Sequence, residues 1–562
     1  MVRQAFDLVL ENTQYYSLLN GFELQENFFS YLGRVLLFFG GLVLIFALLM
    51  GIFMYFMRQT IVVMSRLAEY DLRKELFQQY QQLHLAFYRK NNTGDLMARI
   101  TEDIGKVRMY LGPGVLYGIN LISLFIFVIY AMLSVNVELT LYALAPLPIL
   151  SLSIYYVSDL INKKSEIIQR RLSVLNSIAQ EVYSGIRVVK SYVQEKPTTN
   201  YFASQNESYK QESMALAKID AMFYPLMLVL IGASTVITVL IGGIKVMQGV
   251  LTPGNIAEFV IYVNMLTWPV TSIGWIASII QQAAASQKRI NEFLSIEPVI
   301  KTQRNDIYPI KGNIKFDKVS FVYPDTGIKA LNNISFELKP GQKLAIIGKT
   351  GSGKTTIADL LVRMYDTTSG SIQIDDLDIK SHSLNNLRKK VGYVPQDVFL
   401  FSDTIANNIA FGNRAASRAN VETYAKYSSI YNEIQELSNG FDTLVGERGV
   451  TLSGGQKQRV SIARALLKEP DILMLDDCLS AVDTKTEKVI LNYFNNVLTE
   501  KTVIIITHRI YALLEFDKII VLENGSIIEQ GTHEELLQHK GYYHDLFERQ
   551  QLEEIIENEI VG

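Results

Sequence analysis

The chain has 562 residues, 49% hydrophobic and 19% charged, with a mean hydropathy of +0.16, whereas a soluble domain usually carries about 25% charged residues. Lys and Arg number 53 against 56 Asp and Glu, and a net charge of -3 excludes the polycationic surface that nucleic-acid binding needs. The single cysteine, Cys478, excludes a disulfide framework and a cysteine-ligated metal centre, and the six histidines show no ligand spacing.

The apolar residues are sharply partitioned. Long uncharged runs lie before residue 290, and phosphate-type motifs lie after 310. Uncharged stretches at 35–57, 109–137, 139–158, 221–244 and 259–287 each reach the roughly 20 residues a helix needs to cross hydrocarbon. Five spans are therefore predicted. The second and third are split only near 135–138, and the fourth and fifth only by 245–258, which holds Pro253 and Gly254, so both pairs read as tight hairpins. Segments 58–108 and 159–220 are charged and helix-patterned, and are predicted to extend the spans into water. Residues 58–108 carry Arg58, Arg66, Arg73, Lys74, Arg89 and Lys90, while the start sets Arg3 against Asp7, Glu11, Glu23 and Glu26. The positive-inside bias then puts the long extensions in the cytosol and the amino terminus outside. An odd number of spans returns the carboxy-terminal half to the cytosol. Residues 1–31 lack the basic head, short apolar core and cleavage site of a secretory signal. The expected organisation is a transmembrane domain over 1–305, a nucleotide-binding domain over 312–550 and a tail over 551–562.

From Gly341 the sequence reads GQKLAIIGKTGSGKTTIADLL, an apolar strand, a glycine loop and then a helix. Gly348, Gly353, Lys354 and Thr355 fit the phosphate-loop spacing, in which backbone N-H groups and a helix amino terminus converge on a polyphosphate. Thr350, Gly351, Ser352 and Thr356 complete the predicted cradle. Lys354 is expected on the beta and gamma phosphates of ATP and Thr355 on Mg2+. The run ILMLDD at 472–477 reads as a buried parallel strand ending in acids, which places Asp476 beside the metal.

Between these lies Leu452-Ser453-Gly454-Gly455-Gln456, opening a helix-patterned stretch. With the phosphate loop upstream, it resembles the ATP-binding cassette (ABC) family, and a membrane domain fused ahead of the cassette resembles that family's exporters. The resemblance covers about residues 32–550. It implies an α-helical transmembrane bundle of the type I exporter fold, followed by an α/β phosphate-loop nucleotide-binding domain. It also implies that Tyr323, in FVYPD, stacks on adenine, that Gln396, in VPQDVFLF, touches Mg2+ and water, and that His508, in ITHR, senses the gamma phosphate. The run 480–483 (SAVD) matches the loop crossing between two cassettes, and 445–449 (VGERG) resembles an exporter-specific loop meeting the membrane helices. Coupling helices are expected near 94–101 and 191–202. In the family, the segment Ser453, Gly454, Gly455 and Gln456 closes over a partner's ATP. This chain, with one membrane half and one cassette, is therefore expected to be a half-transporter that dimerises. Cys478 reads as a small buried residue without a redox role.

Two departures stand out. Most family members carry Glu where this chain has Asp477; one methylene less withdraws the carboxylate by about 1.5 Å, and a misplacement of about 1 Å can cost on the order of 100-fold in rate. With Asp477, Gln396 and His508 as the catalytic set, a slow site is predicted. This resembles the degenerate member of heterodimeric multidrug exporters, with a homodimer hydrolysing through Asp477 as the alternative. The family also has six spans per half where five are visible here, and a truncated start is expected. The predicted function is ATP-driven export of a hydrophobic or amphipathic compound from a bacterial inner membrane, with membrane lipid around the spans and the cassette in the cytoplasm. A weakly hydrolysing regulatory half and a lipid flippase are the alternatives. Importers generally keep membrane and ATP-binding parts on separate chains. Phe125, Phe127, Tyr130, Tyr262, Met265 and Trp268 read as lipid-facing or packing residues ahead of cavity lining.

Overall fold

The computed structural model describes residues 2–561 apart from 19, 20, 22, 23, 303–307, 447, 448 and 510–515. Two compact units result: one from residues 1–78 and 96–295, the other from 79–95 and 296–562. Residues 79–95 thus leave the first unit, pack within the second, and return.

The first unit is helical, with five helices long and apolar enough to cross a membrane: Leu24–Gln82, Thr93–Val135, Val137–Ser184, Glu195–Met247 and Pro253–Leu294. Four of the five predicted runs lie wholly within these helices, and the run 109–137 overshoots the second by two residues, across the break at Asn136. Asn136 separates the second and third with an extended backbone, and its side chain accepts from the Leu139 amide at 2.8 Å. Such a cap satisfies a helix amide that has no carbonyl of its own. Pro253 opens the last long helix, where its missing N-H costs nothing. Asp7, on the helix Val2–Leu18, reaches the same end and accepts from the Gly254 amide at 2.7 Å and the Thr252 hydroxyl at 2.8 Å.

Apolar side chains join these helices at Val128, Met132, Leu139, Ala143, Phe259, Val263 and Leu266. Polar contacts also tie the helices: Ser234 donates to the Ala143 carbonyl at 2.5 Å, and Lys245 pairs with Glu138 at 2.6 Å. Asp103, 2% exposed, accepts from Ser286 at 2.8 Å and pairs with Arg289. It sits in a π-helical turn, Arg99–Asp103, and a second such turn, Tyr110–Gly114, contains Pro113. Inserted turns of this kind re-aim side chains along a long helix. The most apolar stretch of Leu24–Gln82 has none of its residues buried, which suits a surface whose solvent is hydrocarbon. Trp268 and Met265 are exposed, and Tyr117 lies edge-on between Trp268 and Trp275 at 5.5 and 5.6 Å.

The short helices that interrupt the long ones are Leu85–Lys90 and Ile186–Ser191, upstream of the expected 94–101 and 191–202. Local chemistry sets the difference. Asn91 turns extended and ends the first, and Val193 adopts a φ of 54° just after the second. Asp95 and Glu195 then sit in the first turns of the helices that follow, where the helix dipole favours acids.

The second unit holds two sheets. Strands β1 (Ile314–Val322), β2 (Lys329–Leu338), β4 (Ser369–Ile374) and β5 (Leu377–Asp378) form an antiparallel sheet in the order β2-β1-β4-β5. Strands β3 (Lys343–Gly348), β6 (Val391–Val394), β7 (Ile472–Asp476), β8 (Thr502–Ile506), β9 (Lys518–Glu523) and β10 (Ser526–Gly531) form the other, in the order β10-β9-β3-β8-β7-β6. All its neighbours are parallel except β9 and β10. β7 and β8 are buried throughout, as unbroken apolar runs between helix layers should be. A separate apolar cluster, including Leu400, Ile409, Phe441, Val460 and Leu467, supports the helix Gly454–Leu466. The helix Tyr542–Val561 continues through the predicted tail. Of the loop expected at 445–449, residues 447 and 448 lie outside the described set.

Candidate nucleotide site

β3, β7 and β8 end at one edge of the parallel sheet, where ligands bind in open α/β folds. A cavity of ≈ 500 Å³ opens there, lined by Tyr323, Thr350, Gly351, Gly353, Lys354, Thr355, Thr356, Gln396, Asp476, Asp477 and His508. The sequence had named each of these. Gly348 closes β3 behind the loop, and Ser352, 4% exposed, lies beneath it with its hydroxyl buried and unpartnered.

The loop conformation requires glycine where the chain passes closest to β2. Gly353 has φ 101°, and a Cβ there would come within 2.4 Å of the Ala330 carbonyl oxygen. Lys354 begins the helix Lys354–Leu361, and its ammonium donates to the Gly348 and Lys349 carbonyls at 2.7 and 2.9 Å. Burial lowers its pKa, while Asp477 and Asp476 work against that shift. A desolvated cation is thus held at the mouth of a turn of backbone amides, an arrangement suited to polyphosphate.

Asp476, 1% exposed, ends β7, and burial raises its pKa despite a hydrogen bond from Thr355. Its Oδ2 is buried without a hydrogen-bond partner. An orphaned carboxylate oxygen beside a threonine hydroxyl is a donor set that fits Mg2+, a cation that takes oxygen ligands. Asp477 follows with φ 47°, its amide donating to the Ile506 carbonyl at 2.9 Å. The left-handed turn swings its carboxylate out of the strand register. Gln396 donates to Asp477 Oδ2 at 3.2 Å, and His508 Nε2 lies 3.6 Å from the same oxygen. Cys478 is buried just beyond, and burial pushes its thiol pKa up.

At the other end of the cavity, the Tyr323 hydroxyl shares a 2.9 Å hydrogen bond with Thr356 Oγ1. Its ring meets Phe321 and Tyr365 edge-on at 4.9 and 5.5 Å.

Ser453, Gly454, Gly455 and Gln456 do not line this cavity. They form their own helix start: Ser453 Oγ accepts from the Gln456 amide at 3.3 Å and Gln456 Oε1 accepts from the Ser453 amide at 2.9 Å, a reciprocal capping box. Glu433 holds the box from below, bonded to Gln456 Nε2 at 2.9 Å and to both terminal nitrogens of Arg459 at 2.6 and 3.0 Å.

Lining residues the sequence did not single out are Ile328, Lys329, Ala330, Ile506, Asn524 and Gly525. Asn524 and Gly525, at φ 47° and 76°, make the two-residue turn between β9 and β10. Asn-Gly is legible as a hairpin signal, but nothing local places that hairpin beside the phosphate loop.

Comparison with known proteins agrees with this geometry. Residues 18–270 match the family described as the ABC transporter transmembrane region, and residues 331–480 match the ABC transporter family. The multidrug resistance-like ATP-binding protein MdlA of Escherichia coli is 37% identical over 94% of this chain and 89% of its own length. An ATP-dependent lipid A-core flippase of Pseudomonas syringae pv. tomato is 36% identical over 84% of this chain and 79% of its own length. The solved structure of a bacterial Atm1-family ABC exporter with ATP bound superposes with a TM-score of 0.77 at 28% identity, covering 98% of this chain and 96% of that one.

Proposed function

The chain belongs to the ABC transporter family, as an ATP-hydrolysing exporter with a helical membrane region and a nucleotide-binding domain, and from that premise we propose how its site works. The observation that carries the reading is the separation within one chain: phosphate loop, Asp476, Asp477, Gln396 and His508 share a cavity that Ser453–Gln456 do not line. A second half-transporter supplies that helix start. Two ATP molecules are then enclosed between two cassettes, and their enclosure and release drive alternating access of the membrane helices.

Tyr323 stacks on the adenine, the amides of the phosphate loop and Lys354 hold the triphosphate, and Thr355, Asp476 and Gln396 would hold Mg2+. That ion, when bound, neutralises charge on the beta and gamma phosphates. Gln396 orients the attacking water. Asp477 accepts its proton as the new oxygen-phosphorus bond forms and the bond to ADP breaks, while His508 steadies the gamma phosphate. Because Asp477 stands where a longer carboxylate is usual, the site turns over slowly. The chain is then the weaker half of a heterodimer, its own Ser453–Gln456 completing the partner's faster site.

The cargo we propose is a hydrophobic or amphipathic compound, moved out of a bacterial inner membrane with the cassette in the cytoplasm. Similarity to multidrug-resistance-like relatives supports it, and similarity to a lipid A-core flippase supports lipid as a second cargo. The test is ATP-dependent movement of an amphipathic dye and of a fluorescent lipid in proteoliposomes carrying the chain and its partner. Movement of neither, while ATP is hydrolysed, would refute the export reading.

A further inference from the structure

Arg89 lies on the short helix Leu85–Lys90, inside the segment 79–95 that packs within the nucleotide-binding unit although the chain on both sides belongs to the membrane unit. Its guanidinium carbon stands 5.3 Å from the ring centroid of Tyr323 and 5.7 Å from that of Tyr365. The two rings meet at 88°, forming a notch that the guanidinium covers. The helix is seated rather than merely near: Ala86, 7% exposed, belongs to the same apolar cluster as Phe321, Leu361 and Tyr365, with Leu85 and Tyr323 packed against it. Tyr323 lines the nucleotide cavity and Arg89 does not.

We infer that Arg89 is a positioning residue for the nucleotide base, acting through the ring of Tyr323. The physical reason is polarisation and restraint. A guanidinium over an aromatic face is attracted by the ring quadrupole, and Tyr323 is then held by Arg89, by Phe321 and Tyr365 and by the hydroxyl bond to Thr356. A ring already held needs less ordering when a base stacks on it. The attraction is stronger for a planar guanidinium than for a compact, strongly hydrated ammonium, because only the former stacks. Burial and Arg89 also act in opposite directions on the carboxyl of Asp359 in the phosphate-loop helix, so the guanidinium is electrostatically felt at that helix as well.

The inference rests on the ATP-site reading above, and the test separates the two. The full chain in lipid discs is titrated with ATP and with inorganic tripolyphosphate, which has no base, for wild type, Arg89→Met, Arg89→Lys and Lys354→Ala. Arg89→Met keeps the apolar stem and should weaken ATP by about three- to tenfold, the scale of a partly desolvated cation-π contact, with tripolyphosphate affinity unchanged. Arg89→Lys should recover part of the loss. In a Tyr323→Leu background, Arg89→Met should have no further effect. Unchanged ATP affinity, equal weakening of both ligands, or additive losses with Tyr323→Leu would each overturn the role of Arg89. Loss of both ligands in Lys354→Ala supports the phosphate site; retention of both would overturn that reading whatever Arg89 does.

Discussion

Gln396 donates its side-chain amide to Oδ2 of Asp477 at 3.2 Å. The same oxygen is 3.6 Å from Nε2 of His508, so two residues from separate parts of the sequence converge on one carboxylate. Ser480 ties this point to the rest of the cassette: its hydroxyl donates to the Asp477 carbonyl at 2.8 Å, and the neighbouring Ala481 amide donates to Gln458 on the helix that Ser453 caps. A Cβ on Gly455 would come within 2.7 Å of the Ala481 carbonyl oxygen. The Asp477 carboxylate and the helix start at Ser453 are thus joined through 480–483 within one chain.

Replacing Lys354 by Ala should abolish ATP binding. The ammonium is buried and bonded to two loop carbonyls, and charge-assisted bonds to phosphate of this kind are among the strong ones. Equilibrium binding of a fluorescent ATP analogue checks this, and wild-type affinity in the variant would remove the phosphate loop from the account.

Ser453→Ala should act in two places. Losing the cap should cost the helix Gly454–Leu466 about 1 kcal/mol, and the larger effect should fall on the partner's nucleotide. Photolabelling each cassette of a mixed dimer reads the asymmetry; equal losses in both cassettes would contradict the assignment across chains.

Asp359 gives a pH signature. Burial pushes its carboxyl up to about 6 from the ordinary 3.8, with Arg89 opposing and Asp476 adding to the rise. A carboxyl raised in the folded state destabilises the fold above about 6, where it is charged folded and unfolded alike, and the penalty fades as pH falls towards 3.8. Asp359→Asn should therefore stabilise the cassette by about 1–3 kcal/mol near neutral pH and by progressively less in acid. Thermal unfolding of variant and wild type at pH 7.5 and about 4.5 decides it, and a stability difference independent of pH would sink the idea.

Much of this site was legible in the sequence because its chemistry is local. The glycine spacing of 348–353, the apolar run closing on Asp476 and Asp477, and the serine before two glycines each specify a backbone conformation and a charge within a few residues. The five long apolar helices were legible for the same reason: crossing hydrocarbon is a requirement of length and composition. Long-range packing was not legible. Arg89 read only as one cation in a basic stretch, and no periodicity tells that Ala86 and Leu85 leave one compact unit for the other's core. The short helices at 85–90 and 186–191 were not legible either: Asn91 ends the first by turning extended and Val193 follows the second at φ 54°, and neither residue type announces the break. The π-helical turns around Asp103 and Pro113 left no periodic signal either.

The most direct test of the account is steady-state ATP turnover of the chain alone in lipid discs, comparing wild type with Asp477→Glu and Asp477→Asn. Wild type should turn over slowly, Glu should raise the rate by at least about tenfold by restoring the reach that one methylene removes, and Asn should abolish the residual rate. Brisk wild-type turnover that Glu leaves unchanged or lowers would contradict it.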